Sequence, residues 1–255
     1  MITTIDEDQG EVIVRDGAQE VRHKLASAEG FAAASRAWLR AGWDAKYVYS
    51  FTWLGRPIIQ LPEDMFRLQE LIWAVKPDVI IETGVAHGGG MVFYASLLEI
   101  MGQGKVIGID VEVRPHNREA LKNHRLWPRM RLIEGSSTSP AVSESLDAQI
   151  HPEDRVLVVL DSNHTKAHVL SELTLLGERV SLGSYIVATD GIMSQLDGAP
   201  RSSEDWAWNN PLEAIGEFVA QDARFVIEEP KFAFNEGLVS ARVTYWPDAY
   251  IKRIA

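Results

Sequence analysis

The sequence predicts a Rossmann-like, doubly wound α/β domain: a mostly parallel sheet with helices on both faces, preceded by an N-terminal extension. Two observations predict it. From Lys76 onward, short and continuously apolar runs alternate with helical stretches, as strands buried on both faces of a parallel sheet do. The first run closes in Gly84-Val85-Ala86-His87-Gly88-Gly89-Gly90, a glycine-rich strand-to-helix junction of the kind that doubly wound folds use for ligands. At 255 residues the chain can bury one substantial core of this type.

Residues 1–60 read as the extension. They hold scattered aromatics (Phe31, Trp38, Trp43, Tyr47, Tyr49, Phe51, Trp53) without regular strand alternation. Gly30 to Arg40 predicts a short amphipathic helix with Phe31, Ala34 and Trp38 along one side. Trp53-Leu54-Gly55-Arg56-Pro57 predicts an ordered turn. The segment is expected to pack on the core or on a neighbouring subunit, so a homo-oligomer is the expected assembly.

The domain proper, 61–255, opens at Leu61-Pro62-Glu63-Asp64 with a helix running to about Val75; proline and acids suit its first turn. Strands are expected at Val79–Ile81, Val106–Asp110, Met130–Ile133, Val156–Leu160 and Tyr185–Ala188, with helices over Met91–Met101 and about Lys166–Leu176. The polar stretch Ser194 to Asp205 has the length of a lid. A helix near Pro211–Ala220 and two closing strands, near Phe225–Ile227 and Leu238–Thr244, complete the domain.

Composition removes several classes of function. The net charge of −11 opposes a nucleic-acid surface, which needs a clustered positive field, and suits small neutral or cationic substrates. With no cysteine, disulfides, zinc–thiolate sites and cysteine nucleophiles are excluded. The acidic start Met1–Gly10 has no apolar leader core, and no apolar run approaches the ~20 residues of a membrane helix. A cytoplasmic protein without a membrane partner is the expectation, acting on a small-molecule acceptor.

Ligands of doubly wound sheets sit beyond the carboxyl ends of the strands, where strand order reverses. Glycines there let the chain turn and let a ligand approach, while the following helix offers free N–H groups. A dinucleotide fingerprint requires Gly-x-Gly-x-x-Gly, and Ala86 stands at its second glycine, the one that admits pyrophosphate. Glu82 suits an ammonium better than a pyrophosphate, and Asp110 is placed to accept hydrogen bonds from two ribose hydroxyls. Glu82, Gly84, Val85, Ala86, Gly88, Gly89 and Asp110 therefore point to S-adenosylmethionine ahead of a dinucleotide. The competing reading is a glycine-rich turn that binds nothing.

Two further strands end in acids, Leu160-Asp161 and Thr189-Asp190, on the same edge. Paired carboxylates with water and substrate oxygens suit Mg²⁺, which would lower the pKa of a substrate hydroxyl. Alternatively the acids cap helices, Asp161 the one that begins near Lys166. His164, three residues after Asp161, suits removal of a proton from such a hydroxyl; orienting the loop is the alternative. His168 is a weaker candidate one turn on, and His87 could touch the cofactor or stand exposed. Trp206 and Trp208 beside the lid would wall a substrate or anchor packing.

These features together resemble the cephalosporin hydroxylase / rhamnosyl O-methyltransferase family, whose members are methyltransferases. The resemblance runs from Trp53-x-Gly55-x-Pro57 through Gln60-x-Pro62, Gln69-Glu70-Leu71-Ile72 and Lys76-Pro77-Asp78-x-Ile80-Ile81-Glu82-x-Gly84. It continues through Gly88-Gly89-Gly90, Gly108-Ile109-Asp110, Glu134-Gly135-Ser136-Ser137 and Leu160-Asp161-Ser162-x-His164, and closes at Asn210-Pro211 and Asn235-x-Gly237-Leu238. It implies S-adenosylmethionine at Glu82, Gly84 and Asp110, with Gly135, Ser136 and Ser137 near the adenine. It also implies magnesium-assisted O-methylation of a sugar or antibiotic-type natural product, with Asp161 and Asp190 as metal acids. Relatives commonly carry two adjacent acids at the second position, where this chain has Thr189-Asp190-Gly191. His164 stands where catechol-type methyltransferases carry a lysine base.

Overall fold

The computed structural model describes residues 1–196 and 198–255; Asp197, within the expected lid, lies outside the described residues. The chain opens with β1 (Ile2–Asp6), β2 (Glu11–Asp16) and β3 (Gln19–Lys24), which form an antiparallel three-stranded sheet. This corrects the expectation of no strand alternation in the extension. Helix α1 (Ala28–Asp44) is longer than the 30–40 expected, because Ser27 caps it by accepting from Gly30 N–H at 3.0 Å. Its buried positions are Gly30, Ala33 and Leu39, while Phe31 and Trp38 stay exposed. The turn read at residues 53–57 is a hairpin of β4 (Phe51–Trp53) and β5 (Arg56–Ile58).

Beyond the hairpin, helices and strands alternate: α2 (Pro62–Val75), β6 (Val79–Thr83), α3 (Gly89–Met101), β7 (Lys105–Asp110), α4 (Pro115–Lys122), β8 (Met130–Glu134), α5 (Pro140–Asp147), β9 (Val156–Leu160), α6 (Lys166–Gly177), β10 (Tyr185–Ala188) and α7 (Pro211–Gln221). Proline opens α2, α4, α5 and α7, and Asn210 caps α7 by accepting from Glu213 N–H at 3.1 Å. Two strands close the sheet, β11 (Phe225–Ile227) and β12 (Tyr250–Arg253). The strand expected at Leu238–Thr244 is therefore displaced. Leu238 is exposed, whereas Tyr250 and Ile251 are buried and pair with β10 and β11.

The seven-stranded sheet has the order β8-β7-β6-β9-β10-β12-β11, parallel throughout the β8–β10 stretch, with β12 antiparallel to both of its neighbours. The chain reaches β8 by moving one way from β6, then returns to lay β9 on the other side. The β6–β9 boundary is thus the switch point, where a crevice opens at the strand ends. Alternate strand residues face opposite layers. Ile80 and Leu157 join Leu68, Ile72, Met91 and Tyr94 on the α2–α3 side. Val79, Ile81 and Val158 join Leu146, Leu173, Ile215 and Phe218 on the other. Burial on both faces is why these strands read as unbroken apolar runs.

Leu39 and Val48 belong to the first of these cores, and the Tyr245 hydroxyl donates to Leu39 O at 3.0 Å. The first two residues of the expected lid, Ser194 and Gln195, end a 3₁₀ turn that starts earlier, at Gly191. Among the described residues, no helix is long and apolar enough to cross a membrane.

Candidate active site

The loop after β6 is shaped mainly by contacts with the protein itself. Gly84, at φ +85°, approaches so closely that a Cβ would lie 1.9 Å from Asp161 O. A Cβ on Gly89 would lie 2.2 Å from Pro57 O in β5, and one on Gly90 would lie 2.0 Å from Glu82 Oε1. Gly88, the left-handed residue before α3, packs on Leu121. Ala86 is also left-handed, at φ +46°, an uncommon state for a residue with a Cβ.

Two residues that sequence reasoning passed over hold this loop. Arg56 donates from Nε to His87 O at 3.0 Å and from Nη2 to Asn117 Oδ1 at 2.8 Å. The buried Asn117 donates to Ala86 O at 3.0 Å. Only the Arg56 neighbourhood carried a signal, the ordered turn, and it revealed nothing of what the guanidinium would reach. His87 is partly buried, with its carbonyl in this clamp.

Beside the loop, Asp110 Oδ2 accepts from Val85 N–H at 2.9 Å and Ala86 N–H at 3.1 Å, and Oδ1 accepts from Glu112 N–H at 3.1 Å. A cleft of about 330 Å³ opens here, lined by Gly84, Ala86, Asp110, Gly135, Ser137 and Asp161 among others. Gly135 N–H donates to Asp110 O at 2.8 Å. Ser136 turns instead to Thr138, 3.0 Å between hydroxyl oxygens, and does not line the cleft. A smaller cavity of about 30 Å³ continues past Gly84 to Glu82, Val85, Gly89, Gln60 and Asp161.

Glu82 is the notable charge of that cavity. It is buried, and its Oε2 has no hydrogen-bond partner. Burial, then the nearby Asp161 and Asp110, push its carboxyl well above the usual range. An orphaned buried carboxylate oxygen in a glycine-walled cavity fits the ammonium of an amino-acid moiety. The adjoining cleft, with Asp110, fits a nucleoside.

At the ends of β9 and β10 the structure brings together Asp161, His164 and Asp190, one ligating atom from each lying within 4.8 Å of the others. His164 Nε2 is 3.4 Å from Asp190 Oδ2. Asp161 is raised by desolvation and then by Asp190; desolvation likewise raises Asp190. Two adjacent acids held up by burial, one of them also by the charge of the other, fit a divalent cation, which would neutralise both. Asp161 does not cap α6, whose N-cap is Thr165. Asp190 itself sits at φ +59°, a strained state that the surrounding turn imposes.

Both oxygens of Asp161 carry neutral donors. Thr189 Oγ1 donates to Oδ1 at 2.7 Å, and Gln60 Nε2 to Oδ2 at 2.7 Å. Gln60 was visible only as part of a short motif. It also lines a pocket of about 60 Å³ with Trp43, Tyr49, Asp190, Arg201 and Tyr245, which reaches Asp190 as the cleft reaches Asp161. Trp206 packs edge-on against Trp43 at 5.8 Å, as a packing anchor does, and Trp208 is exposed.

The profile of the family described as "Rhamnosyl O-methyltransferase/CmcI" matches residues 45–254. A rhamnosyl O-methyltransferase of Mycobacterium leprae (strain TN) is 31% identical over 191 residues, covering 72% of this chain and 79% of the relative. The Mycobacterium bovis (strain BCG / Pasteur 1173P2) protein of that name is 31% identical over 151 residues, which span 58% of this chain and 59% of its own. Among solved structures, "CmcI-N160 apo-structure" aligns with TM-score 0.53 at 20% identity, over 81% of this chain and 77% of that one. "cmcI-D160 Mg-SAM" aligns with TM-score 0.53 at 18% identity, over 81% and 78%. At these identities the structural likeness shows the fold.

Proposed function

The chain belongs to the rhamnosyl O-methyltransferase/CmcI family, and from that we propose that it transfers a methyl group from S-adenosylmethionine to a hydroxyl of a sugar or natural-product acceptor. The observation that carries the cofactor is Glu82: a buried carboxyl group with an orphaned oxygen, on a residue that lines the cavity beyond the glycine loop. Glu82 takes the methionine ammonium, the loop from Gly84 to Gly89 with Val85 and Ala86 cradles the chain between, and Asp110 takes the ribose hydroxyls. Gly135 and Ser137 border the base, while Ser136 supports their turn.

S-adenosylmethionine, when bound, would supply an electrophilic methyl on a sulfonium, and Asp161 and Asp190 would hold a Mg²⁺ whose positive charge would acidify a hydroxyl. The protein's own contribution is alignment and proton handling. The pocket of Trp43, Tyr49, Gln60 and Tyr245, which borders Asp190, receives the acceptor. His164 takes the acceptor's proton, which at Nε2 then faces Asp190 Oδ2 and is stabilised there. Alignment of oxygen, methyl and sulfur accounts for most of the rate, as it does when both reactants are held in place.

A metal-independent version has one specific observation in its favour: Thr189 and Gln60 already satisfy both oxygens of Asp161. A labelled-methyl assay over a panel of rhamnosides, aminosugars and macrolide-type acceptors, run with and without chelator, tests both readings. Transfer abolished by chelator and restored by Mg²⁺ supports the metal; transfer indifferent to chelator assigns the chemistry to His164 and Asp190 alone. No binding of S-adenosylhomocysteine would overturn the reading altogether.

A further inference from the structure

One buried carboxylate plays no part in the chemistry above. Glu172, in the middle of α6, is fully buried, and its Oε2 has no hydrogen-bond partner. Its Oε1 accepts from Ser162 Oγ at 2.8 Å and lies 3.3 Å from His168 Nε2, one turn earlier on the same helix. His168 Nε2 is also 3.2 Å from Ser162 Oγ and 3.4 Å from Ser137 Oγ. Three polar groups, from β8's loop, β9's loop and α6, therefore converge on one ring nitrogen. A buried polar group with zero exposure is retained only where partners compensate it, and Ser162 and His168 do so for Glu172. The hydrogen bond to Glu172 accordingly raises the His168 pKa.

His168 lines the nucleoside cleft together with Asp110, Val111, Gly135 and Ser137. With Asp110 at the ribose, a base lies further along the cleft, toward Val111 and His168. Val111 is 72% exposed, an apolar residue left at the cleft edge that a flat heterocycle would cover. With Nε2 directed at Ser137, Ser162 and Glu172, Nδ1 is the ring nitrogen left to reach a ligand.

Resting on the cofactor reading, the geometry points to His168 as a purine-binding residue that donates a hydrogen bond to a ring nitrogen of adenine, with Glu172 as the positioning residue that holds it. A purine presents N1, N3 and N7 as acceptors, and a charge-assisted donor to one of them discriminates adenine from a base of similar shape.

The test is calorimetric binding of S-adenosylhomocysteine and its 1-deaza, 3-deaza and 7-deaza analogues to the full chain and to two variants, His168→Ala and Glu172→Gln. Wild-type protein should bind one analogue about ten- to a hundredfold more weakly than the parent, the range expected for a lost charge-assisted bond. His168→Ala should bind the parent more weakly by a similar factor and no longer distinguish it from that analogue. Glu172→Gln, close in shape, should lose part of the discrimination. Discrimination unchanged in a folded His168→Ala overturns the proposal. Should that variant fail to fold, unchanged discrimination in Glu172→Gln overturns it through the positioning residue. Wild-type protein that binds the parent but treats all three analogues alike overturns it too, leaving the cofactor reading intact. Wild-type protein that binds none of them overturns the cofactor reading, and this proposal falls with it.

Discussion

Thr189 Oγ1 donates to Asp161 Oδ1 at 2.7 Å, so a neutral hydroxyl, not a further carboxylate, stands beside the acid at the end of β10. Thr189→Glu should tighten Mg²⁺ binding about tenfold by titration calorimetry. Thr189 is buried, so that variant should melt earlier than wild type without cation and recover when Mg²⁺ is added. Equal Mg²⁺ affinity in the two proteins would count against a metal centre on Asp161 and Asp190. Thr189→Val removes the donor and should cost about 1–3 kcal/mol of stability, read in urea.

Glu82 is costly to the fold and useful to the site. Its carboxylate is buried with an orphaned oxygen, so Glu82→Gln should raise the melting temperature while weakening S-adenosylhomocysteine at least tenfold. A variant that melts higher and binds as before would remove Glu82 from the cofactor site.

Arg56 belongs to the β4–β5 hairpin yet restrains the cofactor loop through His87 O and Asn117. Arg56→Leu should raise the KM for S-adenosylmethionine about tenfold and leave kcat nearly unchanged, because the reacting groups lie elsewhere. A fall in kcat with KM unaltered would place the arginine in the chemistry.

Asp64, buried at the start of α2, accepts from Thr244 Oγ1 and from Tyr245 N–H at 2.9 Å. Burial outweighs those bonds and pushes its carboxyl up to about 8. The folded state therefore holds a proton that the unfolded chain gives up near pH ~4. Its contribution to stability falls as pH rises from about 4 to about 8, by up to ~1.4 kcal/mol per unit, and is flat above that window. Asp64→Asn should abolish this component in urea melts taken from pH 5 to 9; an unchanged pH slope would show that Asp64 ionises freely in the fold.

The sheet was legible because its strands are buried on both sides and carry an apolar code without interruption. The acids at their ends, Asp110, Asp161 and Asp190, were legible for a related reason: a charge directly after an apolar run has to emerge at the sheet edge. β12 was hidden because half of it is Lys252 and Arg253, whose polar ends reach Glu228 and Val180 O. The sheet of residues 2–24 was overlooked although Asp16-Gly17 is a hairpin signal, with Gly17 at φ +57° between paired strands. Arg56, Asn117 and Gln60 left little trace, since each acts through a partner between 31 and 101 positions away in the chain, and Glu172 stands in the middle of a helix where its burial could not be read.

A glycine motif is ordinarily taken as the imprint of its ligand. In this loop Gly84, Gly89 and Gly90 leave room for Asp161 O, Pro57 O and Glu82 Oε1. The spacing therefore records how a β-hairpin, a neighbouring strand end and an acid were fitted together. Two proteins that share it have inherited the same joinery, and they remain free to differ in what they carry across it.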